Sequence, residues 1–254
     1  MRLTPRCYAV TGLGYATPWC VNAGFIVGDA ETLIVDTGAN MLAGQTIFGY
    51  AQAAKPGNAL RAINTEKHFD HIGGNGFLRQ QGIDVWGHAR IARTADEFAA
   101  EIAEFNQSIP NPLRRAHGEA AAFFHGTQVT NPDVAIDGEL CCDLGGCTVE
   151  ILMTPGHTAT NLSIWVPDER VLFTGDCLIA EYCPNLDAGT IEDWKIWLAS
   201  LDRLEALHPE FVVAGHGPVV QPGEVAKVID TVRRVLAESI ARGCSPTAYD
   251  RNIS

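Results

Sequence analysis

A short segment of this chain carries side chains well suited to bind a metal ion. It reads Glu66-Lys67-His68-Phe69-Asp70-His71 and is followed by Gly73 and Gly74. Carboxylate and imidazole groups are ligand types that divalent zinc, iron and manganese accept. The preceding residues, 59–65, form an apolar run that predicts a strand. The ligands are therefore expected on the turn that leaves this strand.

Three further candidate ligands follow downstream, each in a segment that contains glycine. They are His157 in Thr-Pro-Gly-His-Thr, Asp176 in Phe-Thr-Gly-Asp and His216 in Gly-His-Gly. Glycine beside a histidine lets the backbone approach closely, which a core histidine does not need. Seven ligands are enough for two metal ions. The remaining histidines are expected to be structural, namely His88, His117, His125 and His208.

The order of these residues resembles the metallo-β-lactamase superfamily, whose motif is His-x-His-x-Asp-His, followed by a His, an Asp and a final His. The resemblance spans residues 22 to about 220. The sequence departs from the motif once, because Glu66 stands where the first His is expected. In the diiron flavoproteins of the superfamily a Glu occupies the second of these positions, so a Glu, His, His set for one metal has a precedent.

The resemblance implies two divalent metal ions and a role for each candidate. Metal one would be held by Glu66, His68 and His157, metal two by Asp70, His71 and His216, and Asp176 would bridge them. Two cations that share a water lower its pKa enough to supply hydroxide near neutral pH. Asp70 is expected to be catalytic too, because it would orient the hydroxide and accept its proton. Zinc is the expected metal, and iron or manganese are the alternatives because a carboxylate makes the site harder.

The neighbouring residue Cys177 is an alternative to Asp176 as a ligand. Residues 171–176 resemble the bridging-Asp segment of superfamily esterases, thioesterases and lactonases. Cys177-Leu178-Ile179 resembles a segment of true β-lactamases in which the Cys is a ligand. We expect Asp176, since His71 already completes a site of the hydrolase type. Ala180 also stands where those β-lactamases carry the Lys that binds the substrate carboxylate.

Three classes of function are compatible with such a site. The first is a hydrolase that attacks an ester, thioester, lactone or amide bond of a small molecule, with β-lactamase activity as an alternative. Glyoxalase II is not expected, because only about forty residues follow His216 and its additional helical domain would not fit. The second class is a redox enzyme with non-haem iron, as in the diiron flavoproteins or sulfur dioxygenases. The third is a binding protein with a degraded site.

Composition limits the classes of partner that the protein is expected to bind. The formal net charge of -12 argues against a nucleic-acid partner, because binding to phosphates draws on clustered Lys and Arg. No apolar run approaches the roughly 20 residues of a membrane span, and the N-terminus lacks the apolar run of a secretory signal. We therefore expect a cytoplasmic protein with a small-molecule substrate, as a monomer or a homodimer. The eight cysteines are expected to be buried, reduced thiols.

Strand and helix patterns alternate along the chain, which predicts an α/β fold. Two strand-rich halves, each followed by a helix, fit the four-layer αβ/βα sandwich that the resemblance implies, as a single domain over residues 1–254. An insert at about 91–130, with helical spacing over 91–105 and 116–124, is expected to lie over the metal edge. Aromatic residues near the motifs would line an apolar pocket or belong to the core: Trp19, Phe69, Phe123, Phe124, Tyr182 and Trp194.

Overall fold

Eleven strands form one sheet within residues 1–14, 20–109, 111–186 and 189–246, the part of the chain that the computed structural model describes. The strands are β1 (Cys7–Leu13), β2 (Val21–Val27), β3 (Glu31–Val35), β4 (Ala59–Ile63), β5 (Val85–His88), β6 (Val134–Ile136), β7 (Leu140–Asp143), β8 (Thr148–Met153), β9 (Leu162–Val166), β10 (Val171–Ile179) and β11 (Phe211–His216). Their order is β6-β5-β4-β3-β2-β11-β10-β9-β8-β7, and β1 pairs with β2. The helices are α1 (Met41–Ala54), α2 (Phe69–Ile72), α3 (Asn75–Gln80), α4 (Ala95–Ser108), α5 (Pro112–Ala116), α6 (Glu119–Phe123), α7 (Ile191–Ala206) and α8 (Val225–Arg242).

Side chains that alternate along each strand divide the core into layers. In β3, Leu33 and Val35 belong to a central cluster, whereas Ile34 belongs to a cluster on the other face. In β10, Phe173 joins the same central cluster and Leu172 points to a different one. Because the central cluster draws on strands from both ends of the order, the two halves of the curled sheet pack face to face around it.

Helices cover the outer faces of both halves. Ile47 and Ala51 of α1 pack on the half that contains β2 to β5. Trp197 of α7 and Leu236 of α8 pack on the half that contains β8 to β11. The order helix, sheet, sheet, helix confirms the αβ/βα sandwich expected from the sequence. Among the helices of the described residues, none has the length and apolar character to cross a membrane.

The two halves of the sheet meet at a short seam between β2 and β11. His216 pairs with Val21 at this seam in the described chain. Beside it, the Asn22 side chain donates hydrogen bonds to the carbonyl oxygens of Ala214 at 2.9 Å and Gly217 at 2.7 Å. A buried amide side chain thus supplies hydrogen bonds that a longer backbone ladder would otherwise provide.

The insert is helical, but its first helix begins later than predicted. The apolar spacing predicted a helix over 91–105, whereas α4 begins at Ala95. Thr94 caps it, because its Oγ1 accepts a hydrogen bond from the Glu97 backbone N–H at 3.2 Å. The Glu97 carboxylate in turn accepts the Thr94 N–H at 2.8 Å, which completes a capping box. Ile91 is buried before the helix begins.

Two further boundaries differ from the sequence prediction. The helix predicted over 116–124 is shorter as α6, because Gly118 adopts a φ of +66° immediately before it. Pro112 occupies the first turn of an additional helix, α5. The strand β1 was not predicted. Its central residues Ala9 and Val10 are buried, whereas Thr11 and Gly12 are exposed, so the apolar pattern is short.

The eight cysteines are all free thiols. Cys7, Cys147 and Cys177 are buried, as expected. Cys141 and Cys244 are exposed, so the expectation that all the thiols are buried was wrong. Cys141 lies on β7, at one end of the strand order, where an outward side chain meets solvent.

Two glycines of α1 should respond in opposite directions to the same substitution. Ala at exposed Gly49 meets no atom within 4 Å, so G49A should stabilise the fold by about 0.5–1 kcal/mol through helix propensity. Ala at buried Gly44 would place Cβ 2.8 Å from the backbone of Gly74, which follows the predicted metal segment. G44A should therefore destabilise by about 1–3 kcal/mol. Urea unfolding of the metal-free variants measures both. Equal effects of the two substitutions would contradict this packing.

Candidate metal centre

The segment after β4 carries four of the predicted ligands, and the last two residues of β4 are buried. Glu66 and His71 have no exposed surface, and His68 lies at the N-terminus of α2. The carbonyl oxygen of His71 accepts hydrogen bonds from Thr37 Oγ1 at 3.0 Å and Asn64 Nδ2 at 2.9 Å. These bonds fix the four-residue helix α2 against the strand ends, so its ligands have a defined direction.

One group of ligand atoms joins Glu66 and His68 from the β4 loop with His157 and Asp176. His68 Nδ1 lies 3.0 Å from Glu66 Oε1 and 3.2 Å from His157 Nε2. His157 Nε2 lies 3.4 Å from Asp176 Oδ2. His157 follows β8 and Asp176 lies on β10, so this group combines residues from both halves of the sheet.

A second group joins Asp70, His71 and His216. His216 Nε2 lies 3.2 Å from Asp70 Oδ2 and 3.4 Å from Asp176 Oδ1. Asp176 Oδ1 also lies 3.3 Å from His71 Nε2. The two oxygens of Asp176 therefore face different groups, which is one arrangement by which a carboxylate can bridge two ions. All seven side chains that the sequence singled out converge at this edge of the sheet.

Main-chain oxygens orient two of the histidines. His157 Nδ1 lies 3.2 Å from the carbonyl oxygen of Asn185, and His216 Nδ1 lies 3.0 Å from that of Cys20. A carbonyl accepts only, so each Nδ1 carries a proton and each Nε2 is the nitrogen turned toward the ligand group. No sequence pattern indicates these two partners, because any residue can supply a carbonyl oxygen.

Asp36, directly after β3, supports the site by holding His71, and sequence reasoning did not single it out. Its Oδ2 lies 2.9 Å from His71 Nδ1 and accepts a hydrogen bond from Thr65 Oγ1 at 2.7 Å. Its Oδ1 accepts the Thr65 N–H at 2.7 Å. The residue is buried with a φ of +61°, a conformation that non-glycine residues seldom adopt. An acid followed by Thr-Gly at a strand end, near the metal segment, was the available signal.

Several buried atoms of the site make no hydrogen bond within the described residues: Glu66 Oε2, His71 Nε2 and Asp176 Oδ1. A buried polar atom without a partner lowers the stability of the fold, unless another group or an ion binds it. Two ligand atoms of one ion, bonded at about 2.0–2.2 Å, lie about 2.8–3.6 Å apart at angles between the right angle and the tetrahedral angle. The short contacts of both groups fall in this range. The donor set and its spacing therefore fit divalent metal ions.

The charges of the site are strongly coupled. Burial alone would raise the pKa of Asp70 and Asp176, but the neighbouring His71 and His216 outweigh it. The pKa of Asp70 falls to about 2, and that of Asp176 falls well below its usual value. Burial opposes protonation of His71 and His216, yet the carboxylates around them raise their pKa well above the usual value. Protons on these imidazoles therefore balance the carboxylates, and a metal ion that binds here must displace them.

Glycines allow the ligand-bearing segments to approach each other. A Cβ on Gly215 would lie 1.8 Å from Asp176 Oδ1, so only glycine fits before His216. A Cβ on Gly156 would lie 2.4 Å from the Trp197 ring, so the segment before His157 packs directly on α7. These contacts give a physical reason for the glycines beside the predicted ligands.

Cys177 occupies a different environment from Asp176. It is fully buried in the apolar cluster under α7 and α8, and burial raises the pKa of its thiol to about 12. Within the described residues, neither group of converging ligand atoms includes Cys177. Ala180 is buried in the same cluster. The four histidines expected to be structural also lie outside both groups.

The aromatic residues near the motifs belong mostly to packed clusters. Phe69 of α2 packs with Phe124 of the insert at a ring-centroid distance of 5.5 Å, and Phe123 packs against the same cluster. Trp194 belongs to α7 and is buried in the apolar cluster beneath that helix. Tyr182 is half-buried in the loop after β10. Trp19 lies outside the described residues.

Comparison with known proteins gives the same family. The beta-lactamase-like protein 2 homolog of Caenorhabditis elegans is 26% identical over 220 residues, which cover 86% of this chain and 64% of that protein. The hydroxyacylglutathione hydrolase of Methylococcus capsulatus is 30% identical over 183 residues, which cover 71% and 57%. The chain thus spans less than two thirds of the length of these two relatives.

A solved structure shows the same fold. The metallo-beta-lactamase family protein of Thermus thermophilus superposes with a TM-score of 0.68 at 24% identity and covers 95% of this chain and 81% of that one. The family model described as metallo-beta-lactamase superfamily matches residues 16–216, a span that begins before β2 and ends at the last predicted ligand. The protein belongs to the metallo-beta-lactamase superfamily.

Proposed function

We propose that the protein is a hydrolase that uses two divalent metal ions to cleave an ester, thioester, lactone or amide bond of a small molecule. The observation that carries the proposal is the convergence of seven His, Asp and Glu side chains, several of whose buried atoms have no hydrogen-bond partner in the described chain. Relatives in the superfamily include a named hydrolase, which supports this chemistry.

In this proposal each residue group holds one metal ion. Glu66, His68 and His157 hold metal one, Asp70, His71 and His216 hold metal two, and Asp176 is shared. When bound, divalent cations at such a site lower the pKa of a water and polarise the carbonyl under attack. Zinc is the metal we expect, with iron or manganese as alternatives because three carboxylates contribute oxygen ligands.

Asp70 has a second role in the proposal. Its Oδ2 faces His216, and its low pKa keeps it ionised at neutral pH. An ionised carboxylate at this position can accept a hydrogen bond from the attacking water and orient it. Asp70 is therefore the catalytic residue in this scheme, besides being a ligand.

The insert at 91–130 is proposed to cover the metal edge within a single domain. Arg93 precedes α4, is mostly buried and donates from Nη1 to the carbonyl oxygen of Lys67, next to His68. Phe69 of the metal segment packs among the aromatic rings of the insert. These contacts support an insert that is anchored to the ligand loop and shapes access to it.

β-Lactamase activity has less support than the other hydrolytic reactions. Ala180 leaves no cation at the position that binds the substrate carboxylate in that branch, and Cys177 is turned into an apolar cluster. We place the substrate among small molecules with a carbonyl group, because the net charge of -12 argues against a nucleic-acid substrate.

The first prediction concerns metal dependence. Protein purified without chelator should contain close to two metal ions per chain by elemental analysis, and should hydrolyse a member of a panel of esters, thioesters and lactones. Dialysis against a chelator should abolish turnover, and zinc, iron or manganese should restore it. Affinity should weaken as the pH falls, because protons compete for the raised-pKa imidazoles. Saturation at one ion, or an iron-loaded protein with oxidase or dioxygenase activity and no hydrolysis, would contradict the proposal.

The second prediction separates metal binding from catalysis at Asp70. D70N, compared at full metal loading, should lose at least about 100-fold in kcat, because the amide cannot accept the proton of the attacking water. D137N removes an exposed carboxylate that belongs to neither ligand group and should leave kcat unchanged. If D70N binds its full complement of metal and keeps a near-normal kcat, Asp70 has no catalytic role beyond metal binding.

The third prediction decides between Asp176 and Cys177. C177S should retain both metal ions and most activity, because its side chain lies in the apolar cluster. D176A should lose the second ion, because it removes the carboxylate that faces both groups. Metal content and the thermal midpoint are measured together, so that a folding defect is recognised. Metal loss in C177S with a replete D176A would reverse the assignment.

A further inference from the structure

We infer that Glu66 bridges the two metal ions, as a second shared carboxylate beside Asp176. The inference rests on the proposed dinuclear site and changes the role of Glu66 within it. The sequence motif alone assigns this position to metal one, because a His stands there in the resembling proteins and can serve one ion.

The contacts of one Glu66 oxygen extend to both ligand groups. Oε1 lies 3.0 Å from Nδ1 of His68, in the first group, and 3.2 Å from Nε2 of His71, in the second. The distance to Nε2 of His157, the other imidazole expected on metal one, is longer at 3.8 Å. Ligand atoms of one ion lie about 2.8–3.6 Å apart at these bond lengths and angles. By this criterion Glu66 is better placed to share an ion with His71 than with His157.

His71 cannot turn away from this contact. Its Nδ1 is held by Asp36 at 2.9 Å, and its carbonyl oxygen is held by Thr37 and Asn64, so Nε2 is the atom left for coordination. That Nε2 lies 3.2 Å from Glu66 Oε1 and makes no hydrogen bond in the described chain. An ion bound to His71 Nε2 therefore has the Glu66 carboxylate beside it.

The second oxygen of Glu66 is available as well. Oε2 is buried and has no hydrogen-bond partner among the residues described. Asp176 differs in that each of its two oxygens faces a different group, whereas the single oxygen Oε1 of Glu66 approaches both. A carboxylate has two oxygens, whereas each imidazole offers one nitrogen to a metal, so the Glu is the substitution that makes a second bridge available.

This arrangement predicts a centre that binds its two ions interdependently. Replacing a neutral imidazole by a shared carboxylate lowers the net charge of the centre and adds oxygen ligands to both ions. Oxygen-rich sites suit manganese and iron better than all-nitrogen sites do. Loss of the Glu66 carboxylate should consequently weaken both ions, not metal one alone.

The test is zinc binding to metal-free protein, followed by competition with a chromophoric chelator. E66Q should lower the affinity of both sites by at least about tenfold, since the ligands themselves matter at least as much as the groups that orient them. H157A, which removes a ligand of metal one only, should weaken one site and spare the other. E66H, which restores the family motif, should keep metal one and weaken metal two.

A charge control separates coordination from electrostatics. Glu101 of the insert lies outside both ligand groups, but its carboxyl interacts with the charges of His68 and Asp70. E101Q removes one negative charge near the centre and should leave both affinities within about twofold, because long-range charge effects are weak beside lost metal bonds. Circular dichroism and urea unfolding of each metal-free variant confirm that it is folded.

The outcomes distinguish the bridge from the hydrolase proposal. If wild type binds two zinc ions and E66Q weakens one site only, as H157A does, the bridge is wrong and the hydrolase proposal is untouched. The same holds if E66H binds both ions as tightly as wild type does. If E66Q weakens both sites but no substrate is hydrolysed, the bridge stands and the hydrolase proposal fails. A wild type that saturates at one ion overturns the bridge.

Discussion

Burial of many ionisable groups in one place is the constraint on which the rest of the structure depends. Four carboxylates and four imidazoles meet at the edge of the sheet: Asp36, Glu66, Asp70, Asp176, His68, His71, His157 and His216. An isolated charge in such surroundings would be expelled or neutralised. These groups are tolerated because each carboxylate faces an imidazole within 3.4 Å. A cation that binds here would replace the protons that they share.

The fold holds three of the imidazoles in place with hydrogen-bond acceptors on the side of each ring that faces away from the centre. Asp36 reaches His71 from the end of β3, and carbonyl oxygens of the loops before β2 and after β10 reach His216 and His157. Strands end together at one edge of the sheet, so short turns from several of them point at the same place. The strained backbone at Asp36 is part of this arrangement, since its carboxylate binds both the Thr65 backbone and an imidazole.

Residue types and local spacing predicted much of this. The alternation of apolar strands with amphipathic helices predicted an α/β fold, and the family resemblance implied its αβ/βα layering. The motif residues are the ones that converge. Sequence reasoning missed β1, the late start of α4 and the supporting role of Asp36. The apolar pattern of β1 is short, and the start of α4 depends on a capping box at Thr94. The role of Asp36 depends on strands that neighbour each other only in the folded chain. The distance between Glu66 and His71 belongs to the same category, because their approach depends on how α2 turns after the strand. A motif records which residues occur and in what order, but not which of two neighbouring groups a carboxylate oxygen will lie closer to.

Because the seam between β2 and β11 is short, the metal centre would also contribute to holding the two halves of the sheet together. Four of the converging residues belong to the first half of the sheet and three to the second, while His216 and Val21 form the backbone pair that joins the halves. An ion bound by ligands from both halves cross-links two units that could otherwise unfold locally and independently. Without it, the strands on either side of the seam should exchange their amide hydrogens as two independent foldons, and with it they should exchange as one. Metal binding would then also determine whether proteases can cleave a locally unfolded half or only the globally unfolded protein.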